Sequence, residues 1–226
     1  MSAPLVTCAG VARTFGAGPT AVVAVHDVTC VVSPQTRAAL VGSSGSGKST
    51  LLHLLAGLDT PTAGTLSWPG LGGSDHPRIH PGRVGLVFQG PSLIPSLTVA
   101  DNVALPLLLG DAPEAGIYSR AVEALAMLGI AGLRGRLPEE LSGGQTQRVA
   151  VARVLAAAPA LVLADEPTGQ LDHETAATVM DALLTACDEG NAALVVATHD
   201  PLIAGRLPEQ WHMSDGALTA PTAVLQ

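Results

Sequence analysis

No basic run interrupts this sequence of 226 residues. Lysine and arginine number 11 against 19 aspartates and glutamates, a formal net charge of −8. A nucleic-acid partner is thereby disfavoured, because no stretch could neutralise a phosphate backbone. Cysteine is scarce as well. Cys8, Cys30 and Cys187 are odd in number and far apart along the chain, which suits reduced core thiols better than disulfides or a zinc cluster. Long apolar runs are also missing, although hydrophobic residues make up 47% and the mean hydropathy is +0.40. Arg153 and Pro159 break the stretch from Val149 to Ala164, and Asp101, Asn102 and Pro106 break the one from Val99 to Leu109. Neither supplies the roughly 20 uninterrupted apolar residues of a membrane span. The beginning, MSAPLVTCAGVARTF, has no long apolar core and does not look like a signal peptide. These absences lead to the expectation of a soluble intracellular chain with one substantial core.

Short β-rich runs alternate with helical patterns, which predicts an α/β fold with a mainly parallel sheet. Ala38 to Val41, Leu161 to Ala164 and Ala192 to Ala197 are apolar throughout, as buried parallel strands should be. Leu51, Leu52, Leu54, Leu55 and Leu58 repeat at helical spacing, and Gly57 and Pro61 stop that helix. Trp68 to Gly82 is crowded with glycine, proline and histidine and reads as an exposed loop. Thr98 to Leu109 and Tyr118 to Leu128 are helical patterns with no strand between them, which suggests a helical insertion.

Directly after the first apolar strand comes GSSGSGKST, residues 42 to 50, which fits the phosphate-loop pattern G-x-x-x-x-G-K-[ST]. Gly42, Ser43, Ser44, Gly45, Ser46 and Gly47 form the loop, and Gly45 and Gly47 allow successive N–H groups to face one centre at the positive end of a helix. Lys48 would place a point charge on the β- and γ-phosphates, Ser49 would offer a hydroxyl to Mg²⁺, and Thr50 would support the α-phosphate side. A phosphate loop needs an acid, and LVLADEPTG supplies two at a strand end. Adjacent strand residues point to opposite sides, so Asp165 and Glu166 cannot do the same job. Asp165 would then hold Mg²⁺ and Glu166 would polarise the attacking water. ALVVATHD repeats the design and aims His199 at the γ-phosphate along the carboxyl edge, where open α/β sheets bind ligands. His76 and His80 have metal-like spacing, but Pro77 and Pro81 argue against a helix there, and the other histidines read as structural.

A second anion-shaped turn, LSGGQ at residues 141 to 145, opens a helix far along the chain. With these pieces in order, the sequence resembles the ATPase subunit of an ABC (ATP-binding cassette) transporter over nearly its whole length. GSSGSGKST matches the Walker A motif, LVLADE the Walker B motif, LSGGQ the signature, GQLD at 169 to 172 the D-loop, and His199 the switch histidine. Gln89, in GLVFQ, falls where the family's glutamine bridges Mg²⁺ and the membrane partner, and Phe15 where an aromatic residue stacks on adenine. The resemblance implies one domain over 1–226. Its α/β core covers about 1–89 and 153–226, with an antiparallel β part near the N-terminus, and its helical signature subdomain covers about 90–152.

It also implies that two copies pack head to tail around two Mg-ATP. Ser142, Gly143, Gly144 and Gln145 of one copy, with Asp172, would then complete the nucleotide site of the other. A transmembrane permease would anchor the pair at the cytoplasmic face of a bacterial inner membrane. The runs VGSSGSGKSTLLHLLAGLDTPTAG and LVLADEPTGQLD are most similar to the lipoprotein-release, macrolide-export and cell-division (FtsE-like) branch. In the FtsE-like alternative the ATPase regulates a cell-wall enzyme through its membrane partner without transport. Departures exist. SPQTR at 33 to 37 replaces the usual Gly-Glu, the loop before Gln89 is rich in Pro and His, and Gly90-Pro91 follow Gln89. A chromosome or DNA-repair ATPase is disfavoured, since heptads and CxxC pairs are missing.

Overall fold

β-Branched and apolar residues cluster where strands form. In the computed structural model, which describes residues 3–72, 82–90, 92–110, 113 and 115–223, β1 is Val6–Phe15, β2 Val22–Val32 and β3 Arg37–Val41. Helix α1 (Lys48–Leu55), β4 (Ala63–Ser67) and β5 (Val84–Val87) follow. Next come α2 (Val99–Leu109), α3 (Ile117–Met127), α4 (Gly143–Ala157) and β6 (Leu161–Asp165). The chain ends with α5 (His173–Glu189), β7 (Ala193–Thr198), α6 (Pro201–Ala204), β8 (Glu209–Ser214) and β9 (Ala217–Ala223). The expected loop around His76 and His80 lies outside the described residues, as does Pro91.

The chain forms two compact units. The first is Met1–Ile79 with Leu163–Asp165 and Ala193–Gln226. It holds an antiparallel sheet in the order β2-β1-β4 and a second sheet in which the end of β6 is followed by β7-β3-β8-β9. Strand β3 lies parallel to both β7 and β8, while β8 and β9 are antiparallel. Ala38, Ala39 and Leu40 and all of Ala193–Ala197 are fully buried, as expected of strands covered on both faces. Register matters most here: Val41 pairs with Thr198, so β3 and β7 end at the same level. The segments that follow them therefore emerge at one sheet edge.

One departure from the sequence reading falls in this unit. The segment starting at Trp68 is not an exposed loop at its outset. Trp68 and Leu71 are buried in a short 3₁₀ turn, and the Trp68 Nε1–H donates to the Leu55 carbonyl at 2.8 Å. That bond satisfies a carbonyl left over at the end of α1. SPQTR, in turn, replaces Gly-Glu with a hydroxyl-closed turn. The Ser33 N–H donates to Thr36 Oγ1 at 3.0 Å, and the buried Thr36 passes its carbonyl to the Leu194 N–H at 2.8 Å.

The second unit is His80–Val162 with Glu166–Ala192. Beside the start of β6 runs β5, tied by the Arg83 carbonyl to the Ala160 and Leu161 N–H groups. Thr98 caps α2 by accepting from the Asp101 N–H at 3.2 Å. Asn102 is fully buried, and its amide donates to the carbonyls of Ile94, Leu97 and Thr98 while accepting from the Ile94 N–H at 2.7 Å. This one side chain shapes the approach to the helix. Gly85 is required by packing, since a Cβ there would run into Val154 of α4.

Candidate functional site

Walker A begins where β3 ends. Gly45 and Gly47 have φ of +80° and +100°, in the left-handed region that glycine adopts without a Cβ penalty. A Cβ on Gly47 would also strike the Ala24 carbonyl, and one on Gly42 the Met213 carbonyl. The loop is thus forced to run close to neighbouring backbone. Gly47 caps α1 without any side-chain hydrogen bond, which leaves the helix's positive end available to an anion.

Lys48 is 8% exposed, and its ammonium donates to the Gly42 and Ser43 carbonyls at 2.8 and 3.0 Å. Its charge is held over the loop by the loop itself. Ser46 is buried, and its Oγ has no hydrogen-bond partner among the described residues. An orphaned buried hydroxyl is costly unless a ligand meets it. Ser43, Ser44 and Gly45 are exposed at the rim, and Ser49 and Thr50 are half-buried in the first turn of α1. The curled backbone, the cation and the unmet hydroxyl all suit a polyphosphate. Phe15 closes β1, 43% exposed, with the Arg13 guanidinium 4.6 Å from its ring centre and Arg13 paired to Asp59 at 2.8 Å.

Asp165 ends β6 and is 5% exposed. Glu166 does not continue the strand as the alternation argument assumed. Its φ is +46°, a left-handed conformation that costs a non-glycine residue on the order of 1 kcal/mol or more. A turn, therefore, and not strand alternation, separates the two carboxylates. The Gly169 N–H then returns to the Glu166 carbonyl at 3.2 Å. His199 likewise lies just past β7 and is exposed, so no strand position aims it. Its placement comes from the next residues. The fully buried Thr198 accepts from the Asp200 N–H at 3.0 Å, and Asp200 caps α6 through the Leu202 N–H at 2.8 Å. His199 lines a cavity of about 220 Å³ with Val41, Asp200, Pro201, Ala204 and Gln210.

The second unit carries the other motif residues. Gln89 is exposed, two positions beyond β5. Ser142 caps α4 in a reciprocal box: its Oγ accepts from the Gln145 N–H at 3.3 Å, and its own N–H donates to Gln145 Oε1 at 2.9 Å. Ser142 and Gly143 face solvent. Within this unit, a Cβ on Gly143 would come 3.0 Å from Gln170 Oε1, and one on Gly144 3.0 Å from Leu171 Cδ2. The signature glycines therefore make room for their own chain's D-loop, a role that motif reading did not suggest. Asp172 is the exposed cap of α5 and accepts from the Thr175 N–H at 2.9 Å and Thr175 Oγ1 at 2.8 Å. These bonds hold its carboxyl below the usual range.

Three further residues were not singled out as functional in the sequence. Thr198 read as an ordinary strand position, and Asn102 only as a break in an apolar stretch. Arg153 read only as an interruption, yet it is half-buried and grips the Ser92 carbonyl and hydroxyl, each at 2.7 Å. It thereby ties α4 to the segment after Gln89.

Strand, glycine loop, helix and a carboxylate at a strand end are the parts of a P-loop nucleotide hydrolase. The chain belongs to the ABC transporter family, whose model matches residues 25–169. It is an ATPase cassette of that family. A solved dimeric structure of the ATP-binding cassette MJ0796, in a post-hydrolysis state with ADP and Pi, is 32% identical. The match covers 98% of this chain and 99% of that one with a TM-score of 0.90. A second dimeric MJ0796 structure, described as a bacterial ABC transporter cassette, matches at 32% identity over 98% and 99% of the two chains, with a TM-score of 0.88.

Proposed function

We propose that this chain binds Mg-ATP at 42–50 and hydrolyses it as one half of a head-to-tail homodimer that drives a membrane permease. The observation that carries this reading is Lys48, buried and held across the phosphate loop by the Gly42 and Ser43 carbonyls. Lys48 would exchange those carbonyls for β- and γ-phosphate oxygens, Ser46 would gain the partner it lacks, and Phe15 would stack on the base. Ser49, Asp165 and Gln89 would hold Mg²⁺, which supplies charge neutralisation between the phosphates. Glu166 would take a proton from the attacking water, and His199 would hold the γ-phosphate.

The second copy contributes Ser142, Gly143, Gly144 and Gln145, with Asp172 at the junction. MJ0796 has been solved as a dimer, and the solvent-facing signature turn supports the same arrangement here. We assign about 90–152 to the helical signature subdomain and about 1–89 with 153–226 to the core. No helix among the described residues is long and apolar enough to cross a membrane, so the permease would hold the chain peripherally at the cytoplasmic face of the bacterial inner membrane. Of the apolar residues after Gln89, Val99 and Val103 are fully buried, whereas Leu93 and Leu97 are half-buried and Ile94 is 38% exposed. Leu93, Ile94 and Leu97 are therefore the docking residues of this reading.

The lipoprotein-release and macrolide-export branch is supported by the runs quoted above. The FtsE-like alternative shares the same motifs, and only the partner's extracytoplasmic domain distinguishes it. The test is phosphate release by the purified chain with ATP, with and without Mg²⁺. Hydrolysis that needs Mg²⁺ and rises more than linearly with protein concentration supports the proposal. A rate independent of Mg²⁺, or strictly proportional to protein concentration well below dimer formation, overturns it.

A further inference from the structure

Cys8 and Cys30, distant in sequence, stand directly opposite one another on β1 and β2. Opposed residues of an antiparallel pair have Cα atoms about 4.5–5.5 Å apart, inside the roughly 4.4–6.8 Å that a disulfide spans. Cys8 is buried, with Leu66 of β4 opposite it on its other side. Cys30 is half-buried on β2, the edge strand of this three-stranded sheet. None of the three cysteines is in a disulfide.

We propose that Cys8 and Cys30 form a reversible disulfide site whose oxidant is a low-molecular-weight disulfide. The two thiols have distinct parts to play. A hydrogen bond from Cys8 holds Cys30 below the ordinary thiol value, and the same bond together with burial pushes Cys8 upward. Cys30, the more accessible of the two, is thus the attacking thiolate, and Cys8 resolves. The Cys30 thiolate attacks one sulfur of RSSR, the S–S bond breaks, and RS⁻ departs with the electron pair. Cys8 gives its proton to that RS⁻ and attacks the Cys30 sulfur, expelling the second RS⁻, which takes up the proton Cys30 had lost. Two protein thiols are oxidised and one RSSR is reduced to two RSH. Cys187 lies buried on α5 and takes no part.

The test treats the native chain with excess oxidised glutathione, quenches with acid, and counts free thiols after denaturation. The count is expected to fall from three to one, a Cys8–Cys30 cross-linked peptide should appear by mass spectrometry, and dithiothreitol should reverse both. Closing a loop of about 20 residues should raise Tm by roughly 5 °C or more. Cys8→Ser should stop at a single glutathione on Cys30, and Cys30→Ser should take none on Cys8. Three surviving thiols, or a glutathione adduct that accumulates in the native chain without the cross-link, would overturn the proposal. These readouts are of thiol chemistry, so they stand or fall apart from ATP hydrolysis.

Discussion

The phosphate loop and the signature turn are both glycine-containing strand or loop ends that open a helix, yet they are built in opposite ways. Around Gly42 and Gly47 the chain's own backbone leaves no room for a Cβ, and Lys48 and Ser46 are buried. Around Gly143 and Gly144 the nearest atoms belong to the side chains of Gln170 and Leu171, and the cap is satisfied locally by Ser142 and Gln145. One site is finished from within, down to a cation waiting on its own carbonyls. The other is locally complete and turned toward solvent. The difference teaches that a motif's glycines need not serve the same purpose: in one place they admit backbone and a left-handed φ, in the other they let a neighbouring loop lie close.

Variants can break this contrast, and the largest effect is expected at Glu166. In the proposed mechanism Glu166→Gln removes the base and leaves the loop intact. Turnover should drop by about 10²–10⁴ with ATP binding retained, and gel filtration with ATP should reveal an accumulated dimer. Near-normal phosphate release would remove Glu166 from that role.

Ser142→Arg sets the outward site against the inward one. The isolated chain should still bind fluorescent ATP analogue, while ATP-driven dimerisation and hydrolysis disappear. Mixing it with Lys48→Ala should restore at most one composite site per heterodimer. Loss of nucleotide binding by the single chain would mean that the signature grips its own nucleotide.

Stability reads the same contrast without any nucleotide. Gly47→Ala meets the Ala24 carbonyl at a φ of +100°, where strain and overpacking together cost roughly 2–4 kcal/mol. Gly143→Ala meets only the end of the Gln170 side chain and should cost less than about 1 kcal/mol. Urea midpoints of the two variants check the difference, and equal losses would erase the distinction drawn here.

The smallest effect on the isolated chain is expected from Leu93→Asp and Leu97→Asp. Both residues are only half-buried, so ATPase activity should persist while co-purification with the permease is lost. Collapse of the fold in either variant would return these residues to the core.

Contiguous patterns were the legible part of the chain. Apolar runs at Ala38–Val41, Leu161–Ala164 and Ala192–Ala197 became strands, and Leu51, Leu52, Leu54 and Leu55 fell in α1, although Leu58 lies beyond its end and is exposed. These features depend on neighbours a few positions away, whose periodicity the sequence displays. The Walker A loop was legible for the same reason, because its glycines, lysine and following helix are consecutive. Legibility failed at Trp68, Glu166 and His199. Burial of Trp68 depends on the Leu55 carbonyl, the turn at Glu166 on a left-handed φ, and the position of His199 on the Thr198 hydroxyl holding Asp200.

By itself, then, the sequence determined the buried strands at Ala38–Val41, Leu161–Ala164 and Ala192–Ala197 and the glycine loop that leads into α1, since period and glycine placement are local properties of the chain. Tertiary structure alone decided which distant residues became neighbours. Register along β3 and β7 ended both strands at one level, and antiparallel pairing set Cys8 against Cys30 despite the loop between them. Pairing register arises from burial of whole strand faces, a sum over many contacts that no single residue or motif records.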